Sequence, residues 1–74
     1  MQELIEFVVK SIVSDKDSVT VEVETDNRFT LYTVKVAQSD IGAVIGKNGK
    51  IAEAIRTVAK SASRERMRIK FEAK

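Results

Sequence analysis

Two glycines three positions apart, Gly46 and Gly49, restrict the folds open to this chain because they lie between two helical patterns. Residues 44–51 read VIGKNGKI, with a short helical pattern before them and a longer one from residue 50 to about 63. A tight turn in this position directs backbone N–H groups and a helix N-terminus outward, which favours an anion. Glycine also lets a sugar-phosphate chain pack directly on the backbone. The segment predicts nucleic-acid binding rather than catalysis.

The charge distribution along the sequence favours a polyanion as the ligand of the half of the chain that contains the glycine turn. Residues 1–38 carry four basic and seven acidic side chains, whereas residues 39–70 carry eight basic and three acidic ones. The net charges are −3 and +5, so the glycine turn lies in the basic half, as nucleic-acid binding requires. The alternative interpretation is a solvated helix face with a few additional lysines.

The composition argues against catalysis and against a bound metal or cofactor. The chain has no cysteine and no histidine, which removes Cys/His zinc sites, thiol nucleophiles and the commonest general base. A Walker loop needs GxxxxGK followed by Ser or Thr, but Gly42 and Gly46 are one residue too close and Asn48 follows Lys47. Ser39 precedes a helix and lacks a histidine to activate it. We therefore predict that the protein is not an enzyme and needs no cofactor.

The length of 74 residues accommodates one small domain, residues 1–74. Glu3, Glu6 and Lys10 interrupt the apolar N-terminal segment, so it is neither a signal sequence nor a membrane span. The absence of cysteine fits a reducing compartment. Met1 and the complete order of elements favour an intact protein over a fragment.

The hydrophobic pattern predicts the order helix, strand, strand, helix, helix, strand. The first helix is predicted over about residues 2–13, and strands over about 19–24, 29–36 and 67–72, with a turn at residues 25–28. Three strands with one solvated face need helices on the other face, which predicts a two-layer α+β domain.

Local features refine this prediction. Phe29 and Leu31 have the opposite parity to the neighbouring apolar residues, which predicts a bulge or a partly apolar outer face near Leu31. Ser39 or Asp40 is the expected N-cap of the short helix that ends at Gly46. The long helix is expected to bury Ile51, Ile55, Val58, Ala59 and Ala62 and to expose Glu53, Arg56, Lys60 and Ser63. The aromatic residues are expected in the core rather than as stacking platforms: Phe7, Phe29, Tyr32 and Phe71.

The element order and the IGKNG sequence of residues 45–49 resemble the KH domain in its type II, bacterial arrangement. Residues 45–56, IGKNGKIAEAIR, are similar to the signature of the small stand-alone bacterial RNA-binding proteins of the KhpA (YlqC) group. The resemblance covers nearly the whole chain and implies an αββααβ fold, with a mixed three-stranded sheet packed against three helices. Ala52 stands where the general KH pattern has a large aliphatic residue, whereas Ile55 fits, which predicts a shallower groove than in eukaryotic KH domains.

The resemblance implies a groove for about four nucleotides of single-stranded RNA beside the GxxG loop, residues 46–49. In this chain the implied RNA-binding residues are Ile41, Gly42, Ile45, Gly46, Lys47, Asn48, Gly49, Lys50 and Ile51. Edge groups of one strand would hydrogen-bond the bases. Arg56 and Arg64 are expected as peripheral phosphate contacts. Alternatively Arg56 pairs with Glu53, and the basic cluster of Arg64, Arg66 and Arg68 serves solubility.

The resemblance further implies a post-transcriptional RNA chaperone of the bacterial cytoplasm, with no membrane or small-molecule partner. It also implies homodimers, or heterodimers with a larger KH protein of the KhpB/Jag type. The alternative function is a protein-interaction module that self-associates or pairs with another KH protein. Such a module would use an exposed apolar patch on the helix of residues 51–62 or on the second strand.

Overall fold

The computed structural model describes all 74 residues, in three α-helices and three β-strands. In chain order these are α1 (Gln2–Lys10), β1 (Thr20–Thr25), β2 (Thr30–Val36), α2 (Ile41–Ile45), α3 (Lys50–Ala62) and β3 (Met67–Ala73). The αββααβ order confirms the predicted α+β fold in the type II KH arrangement. None of the helices has the length and apolar character needed to cross a membrane.

The sheet is mixed, with β2 in the centre and β1 and β3 at its two edges. β1 runs antiparallel to β2, with Val21 opposite Val34, and β3 runs parallel to β2, with Tyr32 opposite Ile69. The strands β2 and β3 are parallel because α2 and α3 form the crossover connection between them. Each edge strand therefore has one side without a strand partner.

The predicted bulge near Leu31 is absent, and the alternative, a partly apolar outer face, is observed. Six consecutive pairs join β1 to β2 without interruption, from Thr20 opposite Lys35 to Thr25 opposite Thr30. Because the register is regular, Leu31 stays on the outer face, where it is half-buried. Phe29, just before β2, is also half-buried, and the Arg68 guanidinium lies 4.9 Å from its ring centre.

The core lies between the inner face of the sheet and the three helices. The strands bury alternate residues toward it, and Val34 and Val36 are completely inaccessible to solvent. The buried apolar cluster comprises Ile5, Val9, Val13, Val19, Val21, Tyr32, Val34, Val36, Val44, Ile55, Ala59, Met67 and Ile69. At about 25 cal/mol per Å² of buried apolar surface, this cluster is the main stabilising contribution to the fold.

α1 is shorter than predicted, because the chain leaves the helix at Lys10. The Ile12 and Val13 amides both donate to the Val9 carbonyl, in a turn that carries Val13 into the core. At the N-terminal end of α1, the Gln2 side-chain amide donates to the Val21 carbonyl (3.0 Å). This carbonyl points away from β2, on the free side of β1.

The buried face of α3 is narrower than predicted. Its buried residues are Ala52, Ile55 and Ala59, whereas Ile51 and Val58 are 39% and 50% exposed. The prediction that Ile51, Val58 and Ala62 are buried is therefore wrong. In a two-layer domain the helix contacts the sheet along one narrow face, and the small side chains of Ala52 and Ala59 on that face bring the helix close to the sheet. Apolar residues of α3 beside this buried face remain exposed, as does Phe7 on α1, which is 72% exposed rather than in the core.

Two polar contacts fix the loops at one end of the sheet. Tyr32 Oη donates to Glu65 Oε1 (2.5 Å) in the connection between α3 and β3. Burial, together with this carboxylate, raises the pKa of Tyr32 to about 12. The predicted turn at residues 25–28 is confirmed: the Asp26 carboxylate accepts from the Phe29 and Arg28 amides, and these bonds lower its pKa.

Candidate nucleic-acid interface

The glycine turn combines three residues with positive φ. Gly46 ends α2 with φ 75° and ψ 176°, a conformation that is essentially restricted to glycine. Asn48 (φ 58°, ψ 26°) and Gly49 (φ 74°, ψ 15°) follow in the left-handed helical region, which asparagine tolerates better than most residues. The residue types at positions 46, 48 and 49 thus suit the backbone they adopt, and a sharp turn joins α2 to α3.

Gly46 is also required by packing. A β-carbon on residue 46 would lie 2.3 Å from Ile51 Cγ1 and 2.8 Å from Ile51 Cβ, both far inside van der Waals contact. At Gly49 and Gly42, by contrast, a β-carbon would meet no atom within 4 Å. These two positions open onto solvent, so the backbone there is accessible to a ligand.

The turn and the start of α3 form an electropositive surface. α3 begins at Lys50 after Gly49, and no side chain caps its N-terminal N–H groups. A helix N-terminus carries a partial positive charge of about one half, which attracts anions. The Lys47 and Lys50 side chains are exposed, and neither is in an ion pair. No acidic residue occurs in the sequence between Asp40 and Glu53.

Four of the predicted RNA-binding residues, namely Ile41, Gly42, Ile45 and Ile51, differ in their surroundings. Ile41 and Ile45 of α2 are half-buried, and Ile41 packs partly against the core. Gly42 is exposed one helical turn before Gly46, whose amide donates to the Gly42 carbonyl (2.9 Å). Ile51 presents part of its side chain to solvent beside the turn. The nine predicted RNA-binding residues all lie within residues 41–51, which form α2, the turn and the first residues of α3.

Asp40 positions α2 in a way that the sequence prediction missed. Asp40, one of the two predicted residues, is the N-cap of α2, but neither its side chain nor that of Ser39 makes a capping hydrogen bond, and the backbone first makes a single 3₁₀ turn over Gln38–Asp40. The buried Asp40 carboxylate instead accepts from the Ser14 and Asp15 amides (both 3.0 Å). These two bonds hold the pKa of Asp40 below its usual value. The carboxylate thus ties the start of α2 to the loop after α1, 25 residues earlier.

β3 is an edge strand that contacts α2 and α3, the two helices that flank the turn. The Arg66 carbonyl bonds to Thr30 and the Lys74 amide to Val36, so even-numbered residues of β3 face β2. By alternation, the backbone groups of Met67, Ile69 and Phe71 point outward. This outer edge supplies hydrogen-bonding groups that no strand occupies.

Arg56 covers the middle of that edge. Its Nε donates to the Ile69 carbonyl (3.2 Å), and its guanidinium lies 5.4 Å from the centre of the Phe71 ring. The alternative that Arg56 pairs with Glu53 is wrong, since Arg56 is half-buried against β3 and makes no ion pair. Sequence alone gave no signal for this contact, because it joins residues that only the α3–β3 packing brings together.

Arg64 lies apart from the turn. It follows the C-terminal end of α3, a helix of 13 residues, which at 1.5 Å per residue is ~20 Å long. Arg64, Arg66 and Arg68 line a cavity at that end rather than the glycine turn.

A family model described as KhpA/KhpB, KH domain, matches residues 2–72. The RNA-binding protein KhpA of Borreliella burgdorferi is 48% identical over 56 residues, covering 76% of this chain and 68% of the relative. The protein of the same name from Clostridium acetobutylicum is 46% identical over 63 residues, covering 85% and 84%. That of Streptococcus pneumoniae serotype 4 is 34% identical over 71 residues, covering 96% and 90%.

No solved structure matches the chain significantly. The family match, however, spans all six helices and strands except the last residue of β3. The relatives are named for RNA binding, and the similarity extends across the glycine turn and both helices that flank it. The chain belongs to the KhpA/KhpB family of KH-domain proteins.

Proposed function

We propose that the protein binds single-stranded RNA in the groove between the turn of residues 46–49 and the outer edge of β3. It acts without turnover, as a post-transcriptional RNA chaperone of the bacterial cytoplasm. The observation that carries this proposal is the turn itself, in which exposed backbone, two unpaired lysines and an uncapped helix start occur together.

Phosphate binding is assigned to the turn. Gly49 leaves the backbone open to a sugar-phosphate chain, Gly46 lets the turn pack tightly on Ile51, and Lys47 and Lys50 supply the charge. Asn48 adds an amide that donates to a phosphate oxygen. With two or three phosphates neutralised, the logarithm of affinity against the logarithm of salt concentration would have a slope of roughly −1.4 to −2.

Base binding is assigned to the groove floor and the outer edge of β3. Ile45 and Ile51 offer aliphatic surface beside the turn, and the missing side chain of Gly42 leaves space for a base on α2. The outward-facing Ile69 amide and the remaining Arg56 N–H groups are donors for base edges. These few polar groups give weak sequence preference, because most of the contact is with the backbone and with base faces.

The experiment is fluorescence anisotropy with a randomised single-stranded RNA pool at about 50 mM and 200 mM salt, across which the phosphate contribution falls. The native protein is compared with a Lys47→Asp, Asn48→Asp variant. Aspartate tolerates the left-handed conformation of position 48, so the turn keeps its shape while its charge is reversed. We expect salt-sensitive binding by the native protein and its loss in the folded variant.

A matched control carries the same change of charge elsewhere. The variant Lys10→Glu, Ser11→Glu places it at the exposed end of α1, where Lys10 otherwise pairs with Glu6 (2.8 Å). It should bind RNA like the native protein. Binding that is absent from the native protein, or that the turn variant retains, would reject the proposal.

A second candidate function is pairing with another copy or with a KhpB-type KH protein. It is favoured by an apolar stripe on α3, defined as Ile51, Ala54, Val58 and Ala62, all of which are exposed. Sedimentation velocity tests it: Val58→Gln should shift the protein to monomer, whereas Thr57→Gln, beside the stripe, should not. A native protein that is monomeric alone and with such a partner would exclude this function. Pairing two grooves would also raise avidity for RNA.

A further inference from the structure

The largest cavity of the protein lies at the C-terminal end of α3, away from the glycine turn. It has a volume of about 610 Å³ and is formed by α3, the start of β3 and the hairpin between β1 and β2. Five basic side chains line it: Arg28, Lys60, Arg64, Arg66 and Arg68. Four of them lie within residues 60–68 and Arg28 comes from the hairpin, so only folding brings Arg28 to the other four and assembles this basic cavity.

The charges of the basic cavity are uncompensated. None of its five cations is in an ion pair, whereas Lys10, Lys35 and Lys70, on other surfaces, each pair with a glutamate. The one acidic side chain at the cavity, Glu65, already accepts the Tyr32 hydroxyl. Like charges gathered around a concave surface raise the local potential, which a polyanion would neutralise.

One of these cations is held in place by packing. The Arg68 guanidinium lies over the Phe29 ring, 4.9 Å from its centre, and the ring is half-buried. Such stacking restrains the guanidinium while leaving its N–H groups at the rim free to donate. The basic cavity thus has a fixed donor as well as mobile ones.

The basic cavity is continuous with the groove proposed for RNA. Met67 lines the cavity and is also the first residue of the outer edge of β3, which passes Ile69 and Arg56 toward the turn. On α3, Lys60 follows Arg56 by one helical turn, so basic side chains lead from the middle of the groove into the cavity.

We propose that the basic cavity binds phosphates of the RNA strand beyond the nucleotides held at the glycine turn. This inference rests on the proposed function, and it extends the footprint past the roughly four nucleotides that a KH groove accommodates. Arg64 and Arg66, which are exposed at the cavity, make the added phosphate contacts. Long single strands are therefore bound more tightly than short ones by a salt-dependent increment.

The test measures the affinity of the native protein and of Arg64→Gln, Arg66→Gln for RNA oligomers of about four and about ten nucleotides. The native protein should prefer the longer oligomer. The variant should bind the short oligomer normally and lose roughly tenfold in affinity for the long one near 0.1 M salt, with a salt slope about 1.4 shallower.

The control Lys10→Gln, Lys35→Gln removes two charges from lysines paired on other surfaces and should bind both oligomers normally. A variant that loses equal affinity for both lengths, or for neither, would overturn the inference while RNA binding at the turn stands. A native protein that binds neither oligomer would overturn the proposed function and this inference together.

Discussion

Ile51 lies against Gly46 so closely that its Cγ1 occupies the space a side chain on residue 46 would need. The first turn of α3 is therefore packed on the residue that directly follows α2. This contact holds the glycine turn in one shape, so the donors of the turn are arranged before a ligand arrives. Such preorganisation reduces the entropy that binding costs.

Gly46→Ala should be severely destabilising. Alanine at position 46 combines a backbone conformation reserved for glycine with the clash against Ile51, so we expect a loss of about 3 kcal/mol or more in the free energy of unfolding. Gly49→Ala, where a β-carbon meets no atom within 4 Å, should cost only about 1–2 kcal/mol of left-handed strain. Urea denaturation checks both variants.

The double variant Gly46→Ala, Ile51→Ala separates the two causes of that loss. It should be more stable than the sum of the single variants predicts, because alanine at position 51 lacks Cγ1, the atom 2.3 Å from the added β-carbon, and keeps only the contact of its own β-carbon at 2.8 Å and of its amide nitrogen at 3.0 Å. Additive losses at the two positions would contradict the packing argument and leave backbone strain as the sole cause.

Arg56 should contribute to stability through β3. Arg56→Gln removes both the bond to the Ile69 carbonyl and the guanidinium over Phe71, so we expect a loss of about 1–2 kcal/mol in unfolding free energy. Arg56→Lys keeps the charge but not the planar donor and should lie between the native protein and Arg56→Gln. If urea midpoints are unchanged in both variants, the contact does not stabilise the fold.

Tyr32 should make the protein sensitive to alkali. Its pKa is raised to about 12 in the folded state from 10.0, so the unfolded chain releases this proton first. The associated stability is present below pH 10 and is lost as the pH rises toward 12. Because Tyr32 is the one tyrosine of the chain, tyrosinate absorbance reports its ionisation directly. Tyr32→Phe should remove this part of the alkaline decline, and an identical decline in both proteins would disprove it.

Asp40 should make the protein sensitive to acid. Its folded pKa lies below the ordinary 3.8, so its contribution is present above that pH and is lost as the pH falls through the lower, folded value. Asp40→Asn should lower the urea midpoint at neutral pH, because the Ser14 and Asp15 amides bond to different carboxylate oxygens and the NH2 group that replaces one of them cannot accept. It should also flatten the decline in acid, leaving the part due to Asp26, whose pKa is lowered too. An unchanged acid profile would refute this assignment.

The order of elements and the glycine turn were predictable because both depend on local signals. Alternation marks the strands, helical spacing marks α1 and α3, and Gly46 and Gly49 mark the turn. The face of α3 was not fully predictable, because Ile51 and Val58 are as apolar as Ile55. Which of them is buried depends on how closely Ala52 and Ala59 let the helix approach the sheet.

The side-chain contacts that complete the candidate site were not predictable for a different reason. Asp40 bonds to residues 25 and 26 positions away, and Arg56 to a carbonyl 13 positions away. Local propensity describes Asp40 as a helix cap and Arg56 as a solvated cation. Only the three-dimensional arrangement shows that the first anchors α2 and the second covers the edge of β3.

The contacts on the two edges of the sheet have a consequence for self-assembly. The Gln2 side chain donates a hydrogen bond to the outward-facing Val21 carbonyl of β1, and the Arg56 side chain donates one to the outward-facing Ile69 carbonyl of β3. An edge strand with free carbonyls is a template for addition of a strand from another chain, which leads to aggregation. In a sheet of three strands, two of which are edges, one helix side chain near the start of β1 and one on β3 interrupt the ladder that such an intruding strand would need.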